Sequence, residues 1–191
     1  MYLPAKFYSP PDKIKLVDSR WDVLPLLYAL EANPSLWNQN TGRTAPVDSP
    51  HHGIDDIWCR FAETVEAFVS PHVSQWWPAS DVLPIRSMAR KVMAMTGAEQ
   101  LGGILITRVP AGKEVLPHTD LGWHARYYDK IAVSLQSHPK QVYGFDGQGL
   151  ETKPGDVFWF DNSQTHWVKN PTPFDRVTAI FCVRIDRSDK A

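Results

Sequence analysis

A histidine and an aspartate stand two positions apart in the segment EVLPHTDLGWH, residues 114–124, directly after a stretch that predicts a β-strand. Because side chains at positions i and i+2 of a strand point to the same face, His118 and Asp120 can direct an imidazole and a carboxylate at one point. Two histidines and one carboxylate form a common ligand set for non-haem Fe(II). The same pair also occurs on protein surfaces that bind no metal, so a third ligand has to decide between the two interpretations.

His166 is the best candidate for that third ligand. It lies in SQTHWVKN, a predicted strand in the second half of the chain, whereas His124 is only six residues from His118 and is expected to line a rim. The other histidines lie in predicted turns, loops or helix ends: His51, His52, His72 and His138.

An arginine follows His166 by ten residues. The intervening turn NPTPFD reverses the chain, so His166 and Arg176 should lie near one another. Arg176 opens an apolar strand, where a buried guanidinium needs a partner anion, and Thr178 offers a hydroxyl on the same strand face. Together they could clamp a carboxylate. The alternative is an arginine at a solvated strand edge, paired with Asp175 or Asp186.

The elements that would position these residues are short strands separated by turn residues, from residue 101 onward. This pattern indicates a sandwich or barrel. The predicted strands are LGGILITRVP, DKIAVSLQS, QVYGFDG, GDVFWFD, THWVKN and RVTAIFCVRI.

The first hundred residues instead predict helices and loops. Apolar residues of GIDDIWCRFAETVEAFVS (53–70) form one helical stripe, and DVLPIRSMARKVMAMTGAE (81–99) predicts a second helix that starts near Pro84 and stops at Gly97. Residues 33–53 are rich in Asn, Pro, Ser and Thr and predict a long loop, which is usually functional or disordered. We therefore expect one domain over 1–191: a helical and loop part (1–99) packed on a mainly β core (100–187).

The composition is that of an ordinary soluble protein. The chain has 191 residues, of which 43% are apolar and 21% charged, and its net charge is −1, so no basic field favours nucleic acid or anionic lipid. Cys59 and Cys182 lie in apolar segments and predict buried free thiols. The start of the chain lacks the apolar region of a signal peptide, and no stretch has the roughly 20 apolar residues of a membrane span. A cytoplasmic location is expected.

Taken together, these residues resemble the Fe(II)/2-oxoglutarate-dependent oxygenases, and within them the aspartyl/asparaginyl β-hydroxylase family. Two stretches carry the resemblance: ITRVPAGKEVLPHTD (106–120) and PGDVFWFDNSQTHWVKNPTPFDRVTAIFCV (154–183). The matching positions are Pro110, Gly112, Val115, Pro117, His118, Thr119, Phe160, Asp161, Asn162, Ser163, His166 and Arg176. The match covers less than half of the chain, roughly residues 100–185.

The resemblance implies a double-stranded β-helix, the jelly roll of the cupin type. It implies Fe(II) on His118, Asp120 and His166, with O2 and 2-oxoglutarate as co-substrates. It places the far carboxylate of 2-oxoglutarate on Arg176, and the hydroxyl residue that the family has eleven positions before the first histidine is here Thr107.

The chain also departs from the family pattern. The animal-type branch has a glycine where this chain has Asp120; the carboxylate restores the full triad and favours hydroxylation over halogenation, because a halide needs that coordination position. The branch holds the first carboxylate of 2-oxoglutarate with an Arg and a His after the first ligand motif. The nearest equivalents here are Tyr128 and Lys130, with Arg126 close by.

The same predicted strands also suggest which residues line the site and which support the metal-binding histidines. An oxidising site requires an apolar lining, and a metal-binding histidine needs a hydrogen-bond partner for its other nitrogen, which Asp161 or Asn162 could supply. Either residue could equally cap a surface turn. The candidate lining residues are Val133, Leu135, Val157, Trp159 and Ile180.

Substrate contacts are expected from two segments. The first follows the ligand motif and contains Trp123, His124, Arg126 and Tyr127; the second is the long loop, with Trp37, Arg43, His51 and His52. These aromatic residues could instead pack the helical part onto the barrel.

The expected reaction is hydroxylation of an unactivated C–H bond, first of an Asp or Asn side chain in a peptide or protein. A free amino acid such as proline is the alternative, and a nucleic acid is not expected. A different class also remains open: a non-catalytic jelly-roll protein that binds a metal or a small carboxylate.

Overall fold

A computed structural model describes residues 12–63 and 71–185 of the chain. The strands are β1 (Ile14–Asp18), β2 (Asp55–Phe61), β3 (Gln75–Trp76), β4 (Gln100–Val109), β5 (Glu114–His118), β6 (Asp129–Gln136), β7 (Val142–Phe145), β8 (Gln148–Glu151), β9 (Val157–Phe160), β10 (His166–Lys169) and β11 (Arg176–Arg184). The α-helices are α1 (Leu24–Ala32), α2 (Ala79–Val82), α3 (Ile85–Thr96) and α4 (Trp123–Tyr127), and Pro34–Leu36 forms a 3-10 turn.

The strands form two antiparallel sheets. The larger sheet has seven strands in the order β1-β9-β6-β11-β4-β2-β3, and the smaller has four in the order β5-β10-β7-β8. Strands that follow one another along the chain repeatedly switch between the sheets, as in a jelly roll. The mainly β prediction with two sheets is therefore confirmed.

The larger sheet is covered on both faces, because successive side chains along its strands point to opposite faces. Along β6, Ile131 and Val133 pack in the cluster that also contains residues of α1 and α3, whereas Ala132 packs in the cluster that contains residues of the smaller sheet. On β9, Trp159 packs on the helical side and Phe160 on the side of the smaller sheet. The candidate site lies on this second side, between the two sheets.

The helix predicted over residues 53–70 is wrong for the part that the structure describes. Residues 55–61 form β2, which pairs with β4 through Ile57 opposite Ile106. The run contains Ile57, Trp58 and Phe61, β-branched and aromatic residues that suit a strand, and pairing with a neighbouring strand outweighs the weak helical period. Residues 64–70 lie outside the described ranges.

The helix predicted within residues 81–99 is confirmed, and a break separates it from a shorter helix near its start. α2 and α3 are separated at Leu83 and Pro84, and Gly97 ends α3 in the left-handed conformation at φ 63°. Between residues 33 and 53 the chain is a series of turns after the 3-10 turn. Strands β1, β2 and β3 of the first hundred residues join the larger sheet, which the helix-and-loop prediction for 1–99 did not include.

Two further expectations concern the thiols and the membrane. Cys59 and Cys182 are buried and free, as predicted. Across residues 12–63 and 71–185, no helix has both the length and the apolar character needed to cross a bilayer.

The turn before β9 gives a test of the fold. Gly155 has φ +87°, and a Cβ there would lie 2.6 Å from the backbone oxygen of Trp21; Gly147, in the turn before β8, has φ +76° with nothing within 4 Å. Gly147→Ala should cost about 1 kcal/mol of unfolding free energy, from the left-handed conformation alone. Gly155→Ala should cost at least about 1 kcal/mol more, because backbone must move. Urea unfolding of both variants checks this, and equal costs would contradict the close approach.

Candidate metal centre and its cavity

The pairing of β5 with β10 brings two histidines together. His166 lies directly opposite His118 in the antiparallel register, and the ring centroids are 4.3 Å apart. Asp120 follows the end of β5, where its backbone N–H donates to the carbonyl of Asn162 at 3.1 Å. This contact fixes the segment after β5 against the segment before β10.

These three side chains form a group that could hold a metal ion. One ligand atom from each of His118, Asp120 and His166 lies within 4.8 Å of the others, and Nε2 of His118 is 3.7 Å from Oδ1 of Asp120. Two nitrogens and one carboxylate oxygen suit a divalent first-row metal such as Fe(II). The sequence prediction of this grouping is confirmed.

The backbone sets which nitrogen of each ring is available. Nδ1 of His118 lies 2.8 Å from the carbonyl of Leu116, and Nδ1 of His166 lies 2.9 Å from the carbonyl of Gln164. Since a carbonyl can only accept, each Nδ1 carries a proton, and in the neutral form of each ring Nε2 keeps a free lone pair. Both rings are thus prepared as metal ligands through Nε2, and the backbone supplies the partner that the sequence assigned to Asp161 or Asn162.

Asn162 supports the carboxylate instead. Its side-chain amide donates to Oδ2 of Asp120 at 3.2 Å and to the carbonyl of Ala125 at 3.3 Å. Asp161 accepts from the backbone and hydroxyl of Ser163, so it caps a turn. Of the two predicted supporting residues, only Asn162 contacts the triad.

The protonation states agree with metal binding. Burial lowers the pKa of His166 and so favours the neutral ring, although its contact with Gln164 acts in the opposite direction. Burial alone would raise the pKa of Asp120, but nearby positive charge, that of Lys130 first, outweighs it, and the net pKa is lowered. A neutral imidazole and an ionised carboxylate are the forms that bind a metal.

A buried guanidinium lies in the same cavity. Arg176 is 2% exposed, and its Nη1 donates to the hydroxyl of Thr178 at 2.6 Å. Its Nε and Nη2 are buried and have no hydrogen-bond partner among the described residues. Burial lowers the pKa of Arg176 to about 10, an effect that Tyr143 opposes. Unsatisfied donors on a buried cation predict an anionic ligand with paired oxygens.

The alternative position for Arg176, at a solvated strand edge, does not occur. Asp175 instead accepts from the backbone of Ala111 and lies 3.9 Å from Arg108. Asp186 lies outside the described residues. Thr107 stands opposite Thr178 in the β4–β11 register and also lines the cavity.

The cavity has a volume of about 280 Å³ and contains the triad and Arg176. Lys130 lies in its wall, where Nζ donates to Sγ of Cys182 at 3.0 Å. Burial would lower the pKa of Lys130, but Cys182 and Asp120 together raise it, so the side chain stays charged. The other lining residues include Arg43, His51, Ile54, Trp58, Arg60, Phe61, Leu105, Leu121, His124, Tyr143, Phe160 and Ile180.

The substrate and cofactor residues predicted from sequence divide into two groups. Arg43 and His124 line this cavity, together with Thr107, Lys130 and Thr178. Four others surround a separate hollow on the surface: Trp123, Arg126, Tyr127 and Tyr128. The reason is α4, which carries Trp123, Arg126 and Tyr127 on the side of this hollow and His124 on the side of the cavity. Tyr128 directly follows α4 and is buried. Trp37 lines neither the cavity nor this hollow, and the guanidinium of Arg108 lies 4.5 Å from the centroid of its ring.

The predicted apolar lining is mostly wrong, for a reason of strand parity. Val133, Leu135, Val157 and Trp159 pack on the helical face of the larger sheet. Of the five residues only Ile180 lines the cavity. The prediction used residue type alone, whereas successive side chains of a strand point to opposite faces. Lys130 of β6 and Phe160 of β9 line the cavity, so residues at odd spacing from them face the helices.

Several cavity residues were not found from the sequence. Arg60, Trp58 and Phe61 lie on the segment that was wrongly predicted as a helix, so the prediction did not place them together at the cavity. His51, in contrast, was expected among the substrate contacts of the long loop; it lines the cavity, and its ring lies 4.5 Å from that of His118, edge to face. Tyr143 lines the cavity from β7 with its ring stacked 5.8 Å from that of His166. The β-branched and aromatic residues Ile57, Trp58 and Phe61 were the signal that could have placed β2.

Comparison with solved structures finds proteins of similar fold. A 2OG-Fe(II) oxygenase family oxidoreductase from Burkholderia pseudomallei matches with TM-score 0.58 and 14% identity, over 84% of this chain and 79% of that one. A prolyl-4-hydroxylase from Pseudomonas putida matches with TM-score 0.55 and 14% identity, over 92% and 94%. A Trichoplax adhaerens prolyl hydroxylase, in complex with a hypoxia inducible factor peptide fragment, matches with TM-score 0.54 and 12% identity, over 92% and 84%.

These matches show the class of fold. The chain has the jelly-roll, double-stranded β-helix fold of the cupin type that the sequence predicted. No protein-family model matches the sequence, and no curated protein matches it either. These matches do not show the narrower resemblance to the aspartyl/asparaginyl β-hydroxylases, and two of them are prolyl hydroxylases.

The role of Asn162 can be tested through metal affinity. Asn162→Ala removes the amide that orients Asp120, so the dissociation constant for Mn(II) should rise roughly 10- to 100-fold. Asp161→Ala, one residue away on the turn, should change it less than about twofold. Mn(II) titration followed by electron paramagnetic resonance measures both. An equal effect of the two substitutions would mean that the turn as a whole, rather than the Asn162 amide, supports the carboxylate.

Proposed function

We propose that this chain is an Fe(II)- and 2-oxoglutarate-dependent dioxygenase that hydroxylates an unactivated C–H bond. The observation that carries the proposal is the joint presence, in one cavity, of the His118–Asp120–His166 group and the unsatisfied donors of Arg176. A simple metal-binding protein has no need of the second feature, and a simple carboxylate-binding protein has no need of the first.

The donor set fits the proposed metal and co-substrate. Two Nε2 lone pairs and one carboxylate bind Fe(II) and leave positions for other ligands, and Arg176 with Thr178 suits the far carboxylate of 2-oxoglutarate. Lys130 is charged and lies near Asp120, so we assign it to the carboxylate nearer the metal. Tyr128, the other predicted residue for that carboxylate, is not assigned because it does not line the cavity.

Iron bound there supplies oxidative chemistry: O2 and 2-oxoglutarate are converted to succinate and CO2 while one oxygen atom enters a C–H bond of the substrate. The chain's own residues bind and orient the reactants. The backbone carbonyls of Leu116 and Gln164 hold the two rings, and Asn162 holds the carboxylate. Apolar side chains such as Ile54 and Leu105 limit the water that reaches the site.

The substrate that we propose is a peptide side chain or a free amino acid. Among the fold neighbours are prolyl hydroxylases, one of them in complex with a peptide fragment, which supports this class of substrate. The Asp or Asn side chain expected from sequence rests on the motif resemblance alone. The cavity of about 280 Å³ lies at the small end of ligand pockets and must also take 2-oxoglutarate. This size favours a single side chain or a small molecule.

Turnover of 2-oxoglutarate tests the proposed reaction directly. Under anaerobic conditions, addition of Fe(II) and 2-oxoglutarate should give a weak visible absorption band, and admission of O2 should release succinate. Asp120→Ala removes the only carboxylate of the triad, so both signals should fall by at least about 100-fold. A wild-type protein with neither band nor succinate would favour the non-catalytic binding protein, and wild-type turnover in Asp120→Ala would exclude Asp120 as a ligand.

Binding of 2-oxoglutarate tests Arg176 separately. Arg176→Met removes the partner of the far carboxylate, so the dissociation constant of 2-oxoglutarate should rise about 100-fold or more. Without 2-oxoglutarate the variant should be at least as stable as the wild type, because an unpaired buried cation is replaced by an apolar side chain.

Thermal unfolding with and without 2-oxoglutarate measures both effects. Arg184→Gln, near the other end of β11 and outside the cavity, serves as the matched control and should keep the stabilisation by 2-oxoglutarate. If the Met variant keeps it as well, Arg176 is not the carboxylate partner.

A further inference from the structure

Four cationic side chains line the cavity, and three of them have an assigned partner. Arg43 donates from Nε to Oδ2 of Asp56 at 2.5 Å and from Nη2 to Oδ1 at 3.0 Å, so its charge is matched within the protein. Arg176 and Lys130 are assigned above to the two carboxylates of 2-oxoglutarate. The remaining cation is Arg60 on β2.

Arg60 makes little use of its hydrogen-bonding groups. Among its five N–H donors, Nη2 reaches the carbonyl of Leu101 at 3.4 Å, a long contact. Nε is buried and has no partner among the described residues. No carboxylate of residues 12–63 or 71–185 forms an ion pair with this guanidinium. A partly desolvated cation without an anion is costly unless a ligand supplies one.

Arg60 is nevertheless held in place. Its guanidinium lies 4.9 Å from the ring centroid of Trp76, and that of Arg86 lies 4.9 Å from the same ring. The β2–β4 register shifts between Trp58 and Arg60, which marks a bulge or an irregularity in the ladder. Trp58 and Arg60 stand two positions apart on β2, and both line the cavity.

The cavity wall next to Arg60 is aromatic. The ring of Phe61 lies 4.9 Å from that of Trp58 and 4.8 Å from that of His124. Burial lowers the pKa of His124 to about 2, so this ring carries no charge, and its Nε2 is buried without a partner among the described residues. Gly103 leaves the room that Phe61 fills, since a Cβ there would lie 2.7 Å from Cδ2 of Phe61.

We propose that Arg60 binds a carboxylate of the primary substrate, with the substrate's apolar body against Trp58 and Phe61. The substrate is then a small organic acid or an acidic side chain. This inference rests on the proposed function, because it assumes that Arg176 and Lys130 are occupied by 2-oxoglutarate. Arg60 would determine specificity, since a neutral analogue leaves the guanidinium without an anion.

The test measures binding without turnover. The protein is loaded with Zn(II) and 2-oxoglutarate, and saturation-transfer NMR compares L-proline with L-prolinamide, which differ in the carboxylate. A second pair consists of the capped tripeptides Ala-Asp-Ala and Ala-Asn-Ala; the first carries a carboxylate only on its Asp side chain, and the second carries none. The acid of at least one pair should show a signal at least about fivefold above its amide. Preference in the first pair indicates a free amino acid, and preference in the second indicates a peptide side chain.

Variants of the two arginines that contact Trp76 assign the effect. Arg60→Gln should abolish the preference for the acid, whereas Arg60→Lys should keep part of it because the charge remains. Arg86→Gln is the matched control: Arg86 contacts the same ring but lies outside the cavity lining, so the preference should persist. Circular dichroism and the unfolding temperature verify that each variant is folded.

Two outcomes would overturn the inference. One is an equal signal, or none, for acid and amide in both pairs; the other is an acid preference that survives in Arg60→Gln. The 2-oxoglutarate signal in the same spectra separates these results from failure of the proposed function. If that signal is present, only the role of Arg60 fails; if it is absent, the assignment of Arg176 fails first.

Discussion

The antiparallel pairing of β5 with β10 is the interaction on which the site depends. Because His118 and His166 occupy directly opposed positions in the ladder, their rings are neighbours without any help from the side chains themselves. The backbone contact between Asp120 and Asn162 then extends the pairing beyond the strand end and adds the carboxylate. A shift of one residue in this register would turn one histidine to the other face of the sheet.

The second constraint is charge in a confined space. Arg176, Lys130 and Arg60 line a cavity whose described lining contains one carboxylate, that of Asp120. Asp56 lies outside this lining and pairs with Arg43. Burying such groups lowers the free energy of unfolding, and bound anions would raise it again. The proposed affinity for two acids, 2-oxoglutarate and a substrate, follows from how the cavity is charged.

The parts of the site that could be predicted from sequence are those with local signals. His118, Asp120 and His166 stand out by residue type and by their place at strand ends, and the turn before Arg176 brings it back toward His166. The β core from residue 100 was predictable because its turns are rich in proline, glycine and asparagine. The grouping of the triad and the two-sheet fold were both confirmed.

The remainder depends on register and on tertiary contacts. The apolar run around Ile57 satisfies a helical period and a strand equally well, and its pairing with β4 decides the outcome. That one error hid Arg60, Trp58 and Phe61 together. The face of Val133 or Trp159 likewise follows from which strand each one pairs with, and the short helix α4 could not be anticipated from spacing in the loop after the ligand motif.

The most direct test of the metal centre is a crystal structure of the protein soaked with Zn(II) and 2-oxoglutarate, with anomalous data collected at the zinc edge. We expect one strong anomalous peak within about 2.0–2.2 Å of Nε2 of His118, Nε2 of His166 and a carboxylate oxygen of Asp120. Density for 2-oxoglutarate should extend from that peak to the guanidinium of Arg176. A peak at another site, or a 2-oxoglutarate molecule bound away from Arg176, would contradict the account.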